Sequence, residues 1–591
     1  MSIWAAFSFL AAVWCIIHVL YFLSHHQETS LLPTQSHLSV SSTRRPLFGG
    51  KLQHLKVTLN GLQLQVSTTR WNTTHDKLNS LLSRRTHKTL ATAVQGFYTL
   101  GTLVAGVGML VAVFTLFFIC VTNGWTLARK VAISHRPHAD AIPFGDVHLL
   151  TKRSASFAEG EGLAPASVDA GASSFPTITP IVPGVTVPLS HLPVIIAAVF
   201  IAQVVHEVGH ALAAALEFLP MTACGASFTV CIPAAFVSFP TSAMKTLPPK
   251  ARSRIIAAGP YHNLVFWAFL SLAAWSGVAH LASFVSGYRD ISSIGKVVVD
   301  VNPESPLSLH LQPGSIITQL DDTSLGSTSQ SIDVWTTYLQ GTVKESLLGW
   351  CVAKSVLGSG DFLQYLAAAN GMLSAKSYEC CNNEASKRPS AFSCFGSKDS
   401  LERGCIDPVP ILTSRHGDNR CQSSDKCPPE SSCVFPSKGV QLLRLTVRSS
   451  ISNVQDQTTI LWSGPPIEIW EEVQVSTWVP RIWVLPLWIP PLAATFWEYL
   501  TMATLSLYFF NLLPLPHLDG TQLLHSFLDW GLNADQGASS YNFGALEGGE
   551  SDQQEPRTRR RWKERILRYC PYTMTCIAIG SILFSILNAL Y

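Results

Sequence analysis

Several stretches of the sequence stay apolar for roughly the 20 residues that an α-helix needs to cross a bilayer. They are 3–23, 96–121, 192–216, 255–287, 482–526 and 571–591. Only 13% of the 591 residues are charged and 47% are hydrophobic, whereas a soluble globular chain carries about 25% charged residues. The sequence therefore predicts a polytopic α-helical membrane protein with about six or more spans.

The loops give conflicting clues to orientation. Asn72 begins a glycosylation sequon, which would place 24–94 in a secretory lumen. A basic set beyond the second span favours a cytosolic 123–190, although Arg84, Arg85 and Lys88 argue for the reverse by the same positive-inside rule. Residues 1–23 are interpreted as a retained anchor, because no basic segment precedes them and no small-residue cleavage site follows.

Charge and cysteine usage narrow the environment further. A net charge of +3 without a long basic block disfavours nucleic acid as a binding partner. The lipid bilayer is therefore the expected partner. Seven cysteines crowd one polar stretch, and Cys351 could be an eighth: Cys380, Cys381, Cys394, Cys405, Cys421, Cys427 and Cys433. They form no CxxC pair, so disulfides in an oxidising lumen are favoured over a zinc knuckle.

The motif HEVGH interrupts the apolar run 192–216. On a helix, His206 and His210 are four residues apart and share one face, so both imidazoles can bind one metal ion. Glu207 between them can reach a metal-bound water as general base. Ionisable side chains are costly at bilayer depth unless they are paired or ligated. A metal site is the prediction, with an accidental motif as the alternative.

A catalytic zinc ion needs a third protein ligand at a similar depth. The polar candidates near the predicted spans are Glu217, Glu498, His262, His517 and Asp519. Asp519 follows prolines that break an apolar segment, and broken helices are tolerated in membranes where they line a cavity. The same carboxylate could instead cap the following helix.

Two further motifs carry a resemblance to a known family. The downstream segment has the form N-x-x-P-x-x-x-L-D-G, with Asn511, Pro514, Leu518, Asp519 and Gly520 in place. The segment RSRIIAAGPYHNLV (252–265) contains G-x-x-x-N. Together with HEVGH, these motifs resemble the site-2 protease family of intramembrane zinc metalloproteases, in its eukaryotic branch.

The resemblance implies roles for particular residues. His206, His210 and Asp519 would bind one Zn²⁺ per chain, and Glu207 would act as general base. Asn511 would lie in the active site as a stabiliser of the oxyanion or the substrate, or would instead satisfy carbonyls of the broken helix. Asn263 would have an active-site role as well, or instead a helix-packing or structural amide role.

The resemblance also implies a function. The chain would cleave a peptide bond within the membrane segment of single-span proteins already trimmed by an upstream lumenal protease. Its substrates would be membrane-tethered transcription factors of the sterol-regulatory or stress-response type, in the endoplasmic reticulum or Golgi. The β-rich stretch 223–239 could hold an unwound substrate segment or form a re-entrant loop.

Between the two catalytic halves, residues 295–322 resemble the start of a PDZ domain, with strands resuming at 440–447. The expected organisation follows the chain: anchor 1–23, lumenal segment 24–94, span 95–122, cytosolic linker 123–190, first catalytic half 191–288, lumenal PDZ-like domain 289–475 with cysteine-rich insert 380–433, second catalytic half 476–530, polar and basic loop 531–569, and span 570–591.

Two other functions remain open from the sequence. One is a membrane metalloprotease of the prenyl-protein-processing type, in which the third ligand is a glutamate on a later helix. The other is a non-catalytic membrane scaffold or chaperone that retains the site as a relic.

Overall fold

The structure is a computed structural model that describes thirteen stretches of the chain. They are residues 3–25, 55–84, 88–134, 187–230, 232–326, 333–341, 348–353, 393–397, 403–413, 420–436, 441–448, 457–539 and 557–590. Most of the predicted linker 123–190, residues 540–556 of the predicted loop 531–569, and Cys380 and Cys381 lie outside the described residues.

Helices dominate both ends of the chain. In chain order they are α1 (Ile3–His25), α2 (Asn72–Leu82), α3 (Lys88–Ser134), α4 (Leu192–Leu216), α5 (Thr241–Thr246), α6 (Pro249–Trp275), α7 (Val278–Val285), α8 (Val334–Leu339), α9 (Pro408–Leu412), α10 (Pro466–Glu472), α11 (Ile489–Leu512), α12 (Asp519–Ser539) and α13 (Arg557–Leu590).

Four helices in the described part of the chain are long and apolar enough to cross a membrane. They span Lys88–Ala132, Leu189–Leu216, Pro249–Trp275 and Arg561–Asn588. The predicted span 255–287 is divided, because α6 ends at Trp275 and Gly277 adopts a left-handed conformation before α7. The predicted break in 482–526 falls between α11 and α12.

In the described residues, the strands form four antiparallel sheets. They are β1 (Leu55–Asn60), β2 (Gln63–Thr68), β3 (Ala223–Thr229), β4 (Ile232–Ser238), β5 (Tyr288–Asp290), β6 (Lys296–Val301), β7 (Ile316–Leu320), β8 (Thr323–Ser324), β9 (Gly349–Ala353), β10 (Ser393–Ser397), β11 (Arg403–Ile406), β12 (Arg420–Cys421), β13 (Ser431–Pro436), β14 (Leu442–Arg448), β15 (Gln457–Ser463), β16 (Val473–Ser476) and β17 (Trp478–Pro480).

The chain divides into two compact units. The first comprises residues 1–275 and 495–591, and the second comprises residues 276–494. In the first unit, α4 and α6 are antiparallel: Ala198 and Leu270 share one apolar cluster, and Glu217 pairs with Arg254 at the other end of α4. Gly209 permits this close packing, because a Cβ there would lie 2.6 Å from the Ala258 carbonyl oxygen.

A four-stranded sheet in the first unit joins distant parts of the chain. Its strand order is β1-β2-β3-β4, so the early hairpin β1-β2 pairs with the hairpin that follows α4, with Val66 opposite Ala226. The stretch 223–239 is therefore a β-hairpin, as its composition suggested. Strand β4 is an edge of this sheet.

The second unit contains two larger sheets. One has the order β15-β14-β7-β6-β16, with β8 beside β7, and packs its buried apolar residues against α8 and α10. The other has the order β11-β10-β13-β9-β12 and carries the cysteine-rich segment. Disulfides Cys351–Cys427 and Cys421–Cys433 stabilise it. The prediction of disulfides, with Cys351 included, is confirmed.

Candidate active site

The HEVGH motif lies in the second half of α4, on the side that packs against α6. His206 is buried, and the alanines at 213, 214 and 215 near the end of the helix are fully buried. Small side chains bring the two helix backbones close together. The imidazoles of His206 and His210, one turn apart, consequently lie against the backbone of α6.

The ring of His210 is held by the backbone of α6. Its Nδ1 is 2.8 Å from the carbonyl oxygen of Ile255. A carbonyl oxygen can only accept, so Nδ1 carries the proton and Nε2 presents a lone pair. This is the tautomer that binds a metal ion through Nε2.

Asp519 reaches the histidine pair because the chain reverses sharply after α11. The connecting residues 513–518 include His517 in a left-handed conformation, with φ of 69°. Gly520 then lies so close to the carbonyl oxygens of Leu512 and Leu513 that a Cβ would overlap both. The glycine of the LDG motif therefore lets α12 begin directly beside the end of α11, with Asp519 as its first residue.

Three donor atoms converge at this point. The Oδ2 atom of Asp519 is 2.9 Å from His206 Nε2 and 3.3 Å from His210 Nε2, and the two Nε2 atoms are 3.1 Å apart. Ligands about 2.0–2.1 Å from a tetrahedral zinc ion lie roughly 3.3 Å from one another. The three donors therefore have the chemistry and the separations of a zinc site.

Gly259 provides the space beside these donors. A Cβ at this position would overlap Nε2 of His210 and would lie 2.7 Å from Nε2 of His206. Any larger residue would fill the volume that an ion must occupy. The donor set and this cradle together fit a metal ion.

Glu207 lies beside the cluster, with a carboxylate oxygen within 4.8 Å of the histidine donor atoms. Its Oε2 accepts a hydrogen bond of 2.9 Å from the Val237 backbone N–H on β4. One turn earlier on α4, Gln203 Oε1 accepts from the Ala235 N–H at 3.0 Å. Both outward N–H groups of this edge strand are thus bound by side chains of α4.

Gln203 is a residue that the sequence analysis missed. A polar amide four residues before Glu207, on the same face of an apolar helix, was the available signal.

Two of the remaining third-ligand candidates make other contacts, and Glu498 lies in α11 next to Tyr499, near the start of α4. Glu217 forms a 2.7 Å ion pair with Arg254, and His262 Nδ1 lies 2.9 Å from the Ala258 carbonyl of its own helix. His517 is exposed in the connection before α12. The carboxylate at the histidine pair is therefore an aspartate, which disfavours the prenyl-protein-processing type of centre.

Asn511 is half-buried in the last turn of α11. Within the described residues, its side chain makes no hydrogen bond, so its role stays a prediction.

The fold and the site define a class of protein: a membrane metallopeptidase whose HExxH helix is completed by an aspartate from a distant segment. The model of peptidase family M50 matches residues 194–540, more than half of the chain. The chain belongs to that family.

A relative from Arabidopsis thaliana, described as a membrane-bound transcription factor site-2 protease homolog, is 27% identical over 380 residues. The match covers 58% of this chain and 72% of the relative. The expected resemblance to the site-2 protease family is confirmed, and the protein is a membrane metalloprotease of that family.

Proposed function

We propose that this protein is a zinc endopeptidase that hydrolyses a peptide bond within the membrane segment of its substrate. The observation that carries the proposal is the convergence of His206, His210 and Asp519 within 3.3 Å of one another, with the Glu207 carboxylate alongside. The two histidines lie on α4, and Asp519 is the first residue of α12. His206 and Asp519 are in contact although they are 313 residues apart in the sequence.

The chain's own residues divide the chemistry among them. His206, His210 and Asp519 hold one Zn²⁺, which when bound makes a water nucleophilic near neutral pH and polarises the scissile carbonyl. Glu207 takes a proton from the attacking water and returns it to the departing amine. The hydrogen bond from the Val237 N–H orients its carboxylate toward the site. Asn511 donates from its amide to the developing oxyanion or to the substrate backbone.

Strand β4 offers a route for holding an unwound substrate. A membrane helix hides its carbonyls in internal hydrogen bonds, so the cleaved segment must be extended locally. An extended segment can add to an edge strand through main-chain hydrogen bonds. Because Gln203 and Glu207 already bind the outward N–H groups at Ala235 and Val237, a substrate that bonds these groups must displace the two side chains.

Two further helices complete a bundle of six spans in this proposal. Helices α1 and α11 have 23 and 24 residues, and both are strongly apolar. The middle of α11 lies beside the start of α4, where the Tyr499 hydroxyl is 2.8 Å from His191 Nδ1.

The bundle supports a revised orientation. The segment 276–494 follows the end of α6, which lies at the end of the bundle where α4 begins. Strand β2 of the hairpin β1-β2 instead pairs with β3, which follows the other end of α4. We therefore propose that the disulfide-bonded unit shares the oxidising lumen with the segment that enters α4, and that 55–84 faces the cytosol. This replaces the expected lumenal 24–94 and cytosolic 123–190.

The proposed substrates are single-span membrane-tethered transcription factors, already trimmed by an upstream lumenal protease. The name of the Arabidopsis thaliana relative, a membrane-bound transcription factor site-2 protease homolog, supports this class. The proposed location is the endoplasmic reticulum or Golgi membrane, which fits a disulfide-bonded unit. The PDZ-like part of the second unit would limit access by untrimmed proteins.

The test compares Glu207→Gln with wild type in cells that lack the native protein. A trimmed single-span reporter is expected to be cut within its membrane segment by wild type and not by the variant, with mass spectrometry locating the cut. Glu471→Gln, the same change at an exposed position of α10, is the matched control and should cut normally. Equal cleavage by Glu207→Gln would refute the enzymatic proposal and favour a scaffold.

A further inference from the structure

Asn263 of the G-x-x-x-N element lies directly behind one of the proposed ligands. It is fully buried in α6, one turn after Gly259. Its Nδ2 atom is 3.3 Å from Nδ1 of His206, whereas its Oδ1 atom is buried with no hydrogen-bond partner. A buried polar atom without a partner costs about 1–3 kcal/mol, so this arrangement requires an explanation.

The two imidazoles have different partners behind them. His210 donates from Nδ1 to the Ile255 carbonyl oxygen, which leaves Nε2 free to bind an ion. For His206 to bind through Nε2 in the same way, its Nδ1 must also carry the proton. The neighbour of that Nδ1 is then an amide nitrogen, and two N–H donors would face each other at 3.3 Å.

A half-turn of the Asn263 amide removes this conflict. The oxygen and nitrogen of an asparagine side chain are nearly the same size, and their assignment follows the hydrogen-bond network rather than direct observation. After the turn, Oδ1 faces Nδ1 of His206 and accepts its proton. The exchange needs no additional space, and it supplies a donor to the oxygen that now lacks one.

We propose that Asn263 is the positioning residue of His206: its amide oxygen accepts from Nδ1–H and thereby fixes the tautomer and ring orientation that present Nε2 to the metal ion. The inference rests on the proposed metal site. The two residues of the G-x-x-x-N element then have different roles. Gly259 leaves room in front of the ligand atoms, and Asn263 holds one ring from behind.

A packing role for Asn263 predicts different mutational behaviour. Leucine has the same number and branching of side-chain heavy atoms, although it is bulkier, and it has no acceptor, so it keeps the outline of the side chain and removes the hydrogen bond. Aspartate keeps an acceptor at the same position, and a carboxylate behind a ligating histidine raises the basicity of the ligand. A packing role therefore tolerates leucine better than aspartate, and a positioning role shows the reverse order.

The experiment measures zinc affinity of the full-length protein in detergent by competition with a chelator, with no substrate present. Asn263→Leu is expected to weaken zinc binding by about 10- to 100-fold, which is the usual effect of removing a partner of a ligating histidine. Asn263→Asp is expected to bind zinc at least as tightly as wild type.

Binding by Asn263→Leu within about twofold of wild type, or equal weakening by leucine and aspartate, would overturn the inference. If wild type itself binds no zinc, the proposed function fails as well, so the two failures are distinguishable. Solid-state NMR of zinc-loaded wild type with ¹⁵N-labelled histidine tests the same contact without substitution. A protonated Nδ1 on His206 is expected, and an unprotonated one would overturn the proposal even where a variant does not fold.

Discussion

Gly259→Ala tests whether the space in front of the histidine donors is needed. The new Cβ would lie 2.7 Å from Nε2 of His206 and would overlap Nε2 of His210. Ordinary carbon–nitrogen contacts are about 3.4 Å, so the His206 ring must move by roughly 0.7 Å and the His210 ring by more. Metal–ligand distances tolerate shifts of only about 0.2 Å. We therefore expect zinc binding to weaken by at least about 100-fold, or ~2.7 kcal/mol.

The assay is chelator competition in detergent, with circular dichroism to monitor the fold. Alanine is the stronger helix former by about 1 kcal/mol, so the variant should keep its helices while losing the ion. Gly96→Ala in α3 is the matched control, because no atom lies within 4 Å of its added Cβ. Zinc affinity of Gly259→Ala equal to that of the control would refute the proposed position of the ion.

Two further predictions concern stability. Arg254→Met should destabilise the protein by about 1–3 kcal/mol, because it leaves the partly buried Glu217 carboxylate unpaired, and adding Glu217→Leu should restore most of the loss in a thermal unfolding assay. Burial alone would raise the pKa of Asp333, but hydrogen bonds from Thr336 and the Lys296 ammonium 3.0 Å away hold that pKa below its usual value. The stabilisation by the Asp333 carboxylate should be complete above the pKa of an unfolded aspartate, about 3.9, and should be lost as the pH falls through the lower pKa of the folded state. In acid unfolding experiments, Asp333→Asn should abolish this pH dependence.

The sequence indicated the histidine pair because the motif carries its own geometry. Two histidines four residues apart must share a helix face, and the cost of charge in a membrane makes a ligand the simplest reason for them. The third donor was harder to predict from the sequence. Asp519 stood among five candidates, and the choice depended on the family resemblance, since no local pattern places residues 313 positions apart in contact.

The orientation stays a proposal, because its sequence signals were weak and opposed one another. A single sequon and a few basic residues suggested a lumenal 24–94, and the pairing of β2 with β3 after α4 was not visible in the sequence. Asn72 itself donates from its amide to the Thr222 carbonyl oxygen at 2.8 Å, so this asparagine has a structural contact as well as a sequon. The boundary between α6 and α7 was missed because both helices are apolar and only the backbone of Gly277 separates them.

The most direct measurement is the metal content of the detergent-purified protein, by mass spectrometry, for wild type, His206→Ala and Asp519→Ala. Wild type should hold one zinc ion per chain, and both variants should hold almost none because each lacks one of only three protein ligands. Retention of a full equivalent of zinc by Asp519→Ala would contradict the claim that the start of α12 completes a site begun on α4.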